Sequence, residues 1–314
     1  MTEGAHSPPP SLGRAVGLAI AASFLWAMAI ILVKMGLEDI PRLTFASLRY
    51  FVGAMALLIW RGARTGSVVP SVPRPLWRWL VALGVLMYGI VPATQFISLD
   101  LIDATAFNFI FQAGIPLVTA LFAGVVLREP TSRFEWLGVV LVAVGMFIFY
   151  PAMPRGNELV GLILAAIAAF GIGSSNLLQR LVMRGQSISA LDAALVPMAL
   201  GSVGLFLVSR TVEPFPNLGG EQVVLILVLG VVNTALAFTM WNQAMRTLNA
   251  LHSSIIASAQ VIEVPILALI ILGESLTAGR GAGSILVLGG ILVVHFSKAA
   301  ASRPATIDTH SRVG

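Results

Sequence analysis

The chain has 314 residues, of which 57% are hydrophobic and only 11% are charged, with a net charge of +5 and a mean hydropathy of +0.93. A soluble domain carries about 25% charged residues, so this composition excludes a water-soluble globule and indicates the lipid bilayer as the solvent. The chain has no cysteine, and His6, His252, His295 and His310 form no HxxxH or HExxH pair, so we expect no disulfide, no bound metal and no other cofactor.

Ten apolar runs are long enough, or nearly so, to cross the hydrocarbon layer as helices, for which about 17–25 residues are needed. They are bounded by Arg, Pro, Gly or acidic residues and lie near 13–34, 42–61, 76–98, 103–127, 134–150, 159–181, 188–209, 221–245, 250–272 and 280–297. The sequence therefore predicts an all-α integral membrane protein with ten transmembrane helices. We expect the polar segments 1–12 and 299–314 to be disordered tails.

The basic residues predict how these helices are oriented. When both termini are placed in the cytoplasm, 13 of the 19 Lys and Arg residues fall on the inner side, as the positive-inside rule requires. We therefore expect a multi-pass protein of the cell inner membrane with both termini cytoplasmic. Because the positive charge lies in short gaps between apolar runs, it does not indicate nucleic-acid binding.

The second half of the chain repeats the first. At an offset of 145 residues, the aligned pairs include Leu127 with Leu272, Glu129 with Glu274, Gly138 with Gly283 and Gly145 with Gly290. Each copy holds five predicted helices, and since five is odd, the second copy enters the membrane from the opposite side. The sequence thus predicts two inverted five-helix repeats, at 13–150 and 158–298, joined by an outer linker at 151–157. Many secondary transporters share this plan.

Several short motifs accompany this pattern. One predicted helix of each repeat ends in a Leu-X-Glu motif, "LRE" at 127–129 and "LGE" at 272–274. The motifs "LRY" at 48–50, "FISL" at 96–99 and "WNQA" at 241–244 occur as well. With its ten predicted helices, the chain resembles the EamA-type transporters of the drug/metabolite transporter superfamily. The resemblance implies a central cavity between the repeats and movement of a small metabolite, usually by export.

Small residues recur at helical spacing and predict close contacts between helices. They form stripes at Gly13, Gly17 and Ala21, and at Gly161, Ala165, Ala169 and Gly173. Gly138 and Gly145 in the fifth helix, like Gly283 and Gly290 in the tenth, lie seven residues apart on one face. These faces either pack the two helices within the bundle or join two subunits, so a homodimer through the fifth and tenth helices stays an open alternative.

Polar side chains inside the predicted helices are the candidates for solute binding. An amide or hydroxyl group costs free energy in lipid, so these groups should face a cavity or bond to another helix. Because they are spread over both repeats, we favour a polar-lined cavity that also contains indole rings. The candidate substrate-binding residues are Trp26, Tyr88, Gln95, Asn108, Gln112, Asn176, Gln179, Trp241, Asn242, Gln243, Ser253 and Gln260.

Charged residues near the membrane fall into two groups. Glu263 shares a helix face with Gln260 and is the candidate for proton coupling, with a structural pair as the alternative. Arg49 lies about two turns inside its helix, where it snorkels, pairs with a group such as Glu263, or holds an anionic solute group. Glu129 and Glu274 lie between helices, and we expect each to favour the positive N-terminal end of the helix that follows it.

The sequence contains no GxxxxGK[ST] loop for ATP hydrolysis. We therefore expect a secondary transporter of a small amphipathic solute, such as an amino acid, driven by an ion gradient or by the solute gradient itself. A membrane enzyme and a non-transporting membrane subunit are the alternatives. An enzyme would need a cluster of nucleophile, base or metal ligands at one interface, and the sequence shows none. A subunit would leave the inward-facing amides unexplained.

Overall fold

The computed structural model describes residues 10–126, 132–150, 154–183, 188–248, 250–275 and 277–301. In these ranges the chain forms ten helices: α1 (Leu12–Gly36), α2 (Arg42–Thr65), α3 (Arg74–Leu101), α4 (Ala104–Val126), α5 (Arg133–Phe149), α6 (Asn157–Met183), α7 (Ala190–Val212), α8 (Gly220–Ala244), α9 (250–272) and α10 (Ala278–Ala301). Their bounds differ from the predicted apolar runs by at most four residues. Seven of them, α1, α2, α3, α6, α7, α8 and the Ile255–Leu272 part of α9, are long and apolar enough to cross a membrane.

Three of the five pairs of helices at equivalent places in the two halves, α2–α7, α4–α9 and α5–α10, pack against each other and are antiparallel. Arg61, near the end of α2, meets Asp192 near the start of α7, while Thr44 at the start of α2 meets Glu213 just after α7. The pairs α4–α9 and α5–α10 are antiparallel as well. Antiparallel contact between equivalent helices is the geometry that an inverted repeat requires.

The first helix of each half packs into the other half. α1 contacts α8 and α9, and α6 contacts α3 and α4. Small residues bring α6 close to its neighbours, because a Cβ atom added to Gly161 would lie 2.5 Å from Cγ2 of Ile102. Ala165, Ala169 and Gly173 continue this buried face. The predicted packing stripe on α6 is therefore confirmed.

The corresponding prediction for α1 is wrong. Gly13 and Gly17 are exposed, and a Cβ atom added to either would meet no atom within 4 Å. Instead, α1 buries Ala15 and Ala19, which pack in one cluster with Ala244 of α8. Gly13 and Ala15 lie about 200° apart around a helix, so the contact face is nearly opposite to the glycines.

The glycines of α5 and α10 face each other within one chain. A Cβ atom added to Gly138 would lie 2.6 Å from the carbonyl oxygen of Gly290, and one added to Gly145 would lie 2.8 Å from that of Gly283. Of the two predicted uses for these faces, packing within the bundle is the one observed. A homodimer would have to use other faces of α5 and α10, such as the exposed face of α5 that carries Phe147.

Two neighbouring glycines of α10 give a matched test of this contact. Gly290→Ala is expected to lower the free energy of unfolding by about 1–3 kcal/mol, because its methyl group overlaps the Gly138 carbonyl. Gly289→Ala is expected to leave it unchanged or raised, since a Cβ atom there meets nothing within 4 Å. Thermal unfolding of both variants in detergent measures the difference, and equal melting temperatures would contradict the close α5–α10 contact.

Polar contacts join the helix ends at both ends of the bundle, which we call the Asp39 end and the Arg61 end. At the Asp39 end, Lys34 Nζ donates to the carbonyls of Leu99 at 2.6 Å and Ile102 at 2.9 Å. Two ion pairs lie there too, Arg42–Asp100 at 2.7 Å and Arg280–Asp103 at 3.0 Å. At the Arg61 end, Thr247 Oγ1 donates to the carbonyl of Pro10 at 2.8 Å, and the Ser132 and Ser297 hydroxyls lie 2.5 Å apart. Each contact joins helix ends that lie on the same side of the bundle when the ten helices alternate in direction along the chain.

Glu274 caps a helix of the other half rather than the helix that follows it. Its carboxylate accepts hydrogen bonds from the backbone N–H of Ala104 at 2.6 Å and from the N–H and hydroxyl of Thr105 at 3.2 and 2.7 Å. Gly273 permits this, because it ends α9 with φ 67°, a backbone conformation that glycine adopts without strain. The expectation that Glu274 serves α10 is therefore wrong, and α4 is the helix it caps. Glu129 lies outside the described residues.

Both α3 and α8 contain a π-helical segment, at Leu86–Ile90 and Val228–Leu236. At an offset of 145 residues, the segment in α3 corresponds to 231–235, so the two distortions occupy equivalent places. A π-segment inserts an extra residue into a helix turn and often marks a functional site. The distortion in α8 brings Asn233 and Thr234 into buried positions facing the first half.

Candidate functional site

A seam of hydrogen bonds runs between the halves along α9. This helix is interrupted by a turn at Ala259. On one side of it, Gln112 Nε2 of α4 donates to the carbonyl of Ala257 at 3.3 Å. On the other side, Asn108 Nδ2 donates to the carbonyl of Gln260 at 2.9 Å. Two side chains of the first half thus bond to the backbone of the second at the point where α9 is irregular.

Glu263 extends this seam to α1. The Ser23 hydroxyl lies 2.9 Å from Glu263 Oε2 and 3.4 Å from the carbonyl of Ile256. Ser23 is fully buried, whereas Glu263 is only partly buried. The carboxyl group therefore sits at the contact of the two halves, bonded to a neutral hydroxyl. We call Ser23, Asn108, Gln112, Gln260 and Glu263 the α9 seam.

A second contact between the halves joins α1 to α8. Asn233 Nδ2 donates to the carbonyl of Leu25 at 2.6 Å. The ring of Trp26 packs against Phe238 and Trp241, with centroid distances of 5.4 and 5.3 Å. Two of the predicted aromatic candidates, Trp26 and Trp241, are therefore brought together beside a polar group that the sequence did not single out.

Asn108 and Asn233 share an unusual feature. Each side chain is at least 98% buried and donates its amide N–H to a backbone carbonyl of the other half. In each, the amide oxygen is buried and has no hydrogen-bond partner in the described part of the protein. An unpaired buried acceptor costs free energy, which a donor from a bound molecule would recover.

Comparison with known proteins identifies the chain. The sequence profile of the EamA-like transporter family matches residues 13–150 and 159–296. This protein belongs to the EamA-like transporter family. The two matched segments coincide with the two repeats, and the resemblance noted in the sequence is confirmed.

Curated relatives extend along nearly the whole length of this EamA-like transporter. The uncharacterized transporter YoaV of Bacillus subtilis is 25% identical over 88% of this chain and 95% of its own. A probable amino-acid metabolite efflux pump of Salmonella typhimurium is 23% identical over 88% of this chain and 93% of its own. A solved crystal structure matches 93% of this chain and 100% of its own with a TM-score of 0.66 and 17% identity, which shows a shared fold.

The remaining candidates of this EamA-like transporter lie apart from the α9 seam or at its edge. Tyr88 is buried and packs edge-on against Tyr50, with centroids 5.5 Å apart. Gln95 is buried within α3. Three others are partly buried, Ser253 on α9 and Asn176 and Gln179 on α6.

Asn242 and Gln243 are exposed in the last turn of α8, contrary to the predicted inward face. The reason is the placement of the neighbouring alanines. Ala237 and Ala244 form the buried side of this part of α8. Gln243 lies about 100° and Asn242 about 200° from Ala244 around the helix.

Two pockets open at the Asp39 end. One of about 550 Å³ is lined by Leu32 of α1 and by residues at the start of α8, including Val224 and Val228. The other, of about 390 Å³, is lined partly by Glu38, Asp39 and Glu221. No predicted candidate residue lines either pocket. In this conformation, the polar groups of the α9 seam form hydrogen bonds across the contact of the two halves.

Proposed function

We propose that this protein is a secondary transporter that exports a small amphipathic metabolite, such as an amino acid, across the cell inner membrane by alternating access. In this proposal, ten transmembrane helices form two inverted five-helix repeats, and both termini lie in the cytoplasm. The Arg61 end is then the cytoplasmic side and the Asp39 end the outer side. The family and the name of the Salmonella relative, a probable amino-acid metabolite efflux pump, support the substrate class.

The observation that carries the proposal is the antiparallel pairing of equivalent helices. A two-fold axis in the membrane plane turns each helix of one repeat into an antiparallel partner, as in α2–α7, α4–α9 and α5–α10. Two such halves can close either side of a shared interior at similar free energy, because the closed contacts are equivalent. The α9 seam lies on this shared interface and consists mainly of uncharged hydrogen-bonding groups, which suit a small polar solute.

Transport by the purified protein in sealed liposomes tests the proposal. The liposomes are loaded in turn with radiolabelled amino acids, amines and nucleosides, and efflux is compared with that from protein-free liposomes. We expect saturable efflux of at least one amphipathic solute. If no solute moves and none shifts the melting temperature of the protein, a non-transporting subunit becomes the better account. Chemical conversion of a solute or lipid would favour a membrane enzyme.

Glu263 is the proposed proton-coupling residue. As the two halves move, the Glu263 carboxylate loses its hydrogen bond with Ser23 and instead binds a proton or contacts the solute. Glutamine at this position resembles the permanently protonated form, so Glu263→Gln is expected to remove most of the pH dependence of transport between about pH 5 and 8. Efflux rates at a series of pH values measure this.

The control for Glu263 is Glu158→Gln, which alters an exposed carboxylate in the first turn of α6 and should keep the wild-type pH profile. A Glu263→Gln protein that transports with an unchanged pH profile would remove Glu263 from any proton role. It would leave the residue as a hydrogen-bonded link between α1 and α9.

A further inference from the structure

Arg49 is a buried cation that has no carboxylate partner among the residues that the structure describes. It is the eighth residue of α2, and only 6% of its surface is exposed. Its Nε donates to the hydroxyl of Thr234 in α8 at 3.3 Å, and its guanidinium lies 5.2 Å from the ring centroid of Tyr50. In the described ranges these are its only polar or ring contacts. Because so little of it is exposed, it does not snorkel to the membrane surface.

The contact with Thr234 supplies no counter-charge to Arg49. The Thr234 hydroxyl donates its proton to the carbonyl of Leu229 at 2.8 Å, so its oxygen is free to accept from Nε but carries no charge. Burying a charge without a counter-charge is costly. The three ion pairs in the described ranges use other residues, namely Arg42, Arg61 and Arg280.

Arg61 shows what a structural arginine of this helix looks like. It lies three turns further along α2, is also buried, and its Nε bonds to Asp192 Oδ1 at 2.6 Å. Its terminal nitrogen also bonds to the carbonyl of Ser67. Arg49 is buried to the same extent, but in the described part of the chain it has neither a carboxylate partner nor hydrogen-bond acceptors for its terminal nitrogens. Arg61 therefore has a protein carboxylate as its counter-charge, whereas the position of such a carboxylate beside Arg49 is available to a bound molecule.

We propose that Arg49 binds the carboxylate of the transported solute, an inference that rests on the proposed transport function. A guanidinium keeps its charge in proteins and offers parallel N–H groups that match the two oxygens of a carboxylate. One guanidinium balances one carboxylate, whereas a phosphate with two charges would leave an excess of negative charge. Arg49 also has the right place, because it joins α2 of the first repeat to the π-segment of α8 in the second.

Transport selectivity tests the proposal. Wild-type protein, Arg49→Gln and Arg49→Lys are compared in liposomes with L-amino acids and with matched compounds that lack the carboxylate, the amino-acid amides and the decarboxylated amines. We expect Arg49→Gln to raise the half-saturating concentration of the carboxylate solutes about tenfold or more, with little change for the amides and amines. Arg49→Lys should recover part of the affinity, since it keeps the charge but loses the two-pronged geometry. Arg64→Gln, an exposed change on the same helix, is the control and should leave both classes unchanged.

The melting temperature separates ligand binding from a purely structural role. Without solute, Arg49→Gln should be at least as stable as the wild type, because it removes an unpaired buried charge. If Arg49→Gln loses transport of both solute classes equally, or of neither, the proposal is overturned. If Arg49→Gln does not fold, the same comparison of the two solute classes is made with Arg49→Lys. If the wild type moves no solute, the proposed function fails. The inference about Arg49 then depends on the melting temperature alone. It stands if L-amino acids raise the melting temperature of the wild type and their amides do not, and if neither raises that of Arg49→Gln. Any other pattern overturns it.

Discussion

Replacing Arg61 by methionine is expected to lower the free energy of unfolding by about 3–5 kcal/mol, because it leaves the buried Asp192 carboxylate without its counter-charge. The two side chains are 8% and 5% exposed, and Nε lies 2.6 Å from Oδ1. They join α2 of one repeat to α7 of the other, so the loss should loosen the contact between the repeats. Thermal or denaturant unfolding in detergent measures the change.

Two companion variants show whether the charge is responsible. Arg64→Met alters an exposed arginine one turn away and should change the stability little. The double variant Arg61→Met with Asp192→Leu removes both charges and is expected to recover much of the loss. If Arg61→Met alone is as stable as Arg64→Met, the pair does not hold α2 and α7 together.

Replacing Glu274 by alanine should lower stability by about 2 kcal/mol or more, the sum expected for a lost helix cap and unsatisfied buried donors. Ala104 and Thr105, whose N–H groups it accepts, are at most 3% exposed, so water cannot replace the carboxylate easily. The same change should weaken the closure of the Asp39 end, where α9 and α4 meet. Unfolding measurements and the transport rate report the two effects separately.

Glu38→Ala is the matched control for Glu274, because Glu38 is an exposed carboxylate at the same end of the bundle. It should leave the melting temperature within a degree or two of the wild type. A similar small effect for Glu274→Ala would mean that the three hydrogen bonds to the start of α4 contribute little.

The lengths and order of the helices could be predicted closely because the bilayer imposes them. Each apolar run had to be about 20 residues long, and the ten helices end within four residues of the predicted bounds. Which face of a helix meets its neighbour was harder to predict. In a lipid-embedded helix such as α1, both the buried and the exposed faces are apolar, so nothing in the pattern showed that Ala15 rather than Gly17 faces α8.

The sequence predicted several polar residues of the α9 seam as candidates, but it did not predict their hydrogen-bond partners. The sequence identified Asn108 and Gln112 as polar groups that needed hydrogen-bond partners. Their acceptors are backbone carbonyls of α9, and the sequence of side chains does not indicate which carbonyls these are. Asn233 and Thr234 were missed because they lie in an otherwise apolar run. A signal was present, since Asn233 lies 145 residues after Tyr88, so the two polar residues occupy equivalent positions in the repeats.

Labelling of single cysteines in intact cells tests the inverted repeat most directly, and the chain has no natural cysteine to confuse it. Ser71→Cys lies in the exposed loop between α2 and α3, and Asn217→Cys in the exposed loop between α7 and α8, the equivalent place in the second repeat. We expect a membrane-impermeant maleimide to label Asn217→Cys from outside and to reach Ser71→Cys only after the cells are opened. Labelling of both cysteines from the same side would contradict the opposed orientation of the two halves, and with it the proposed alternating access.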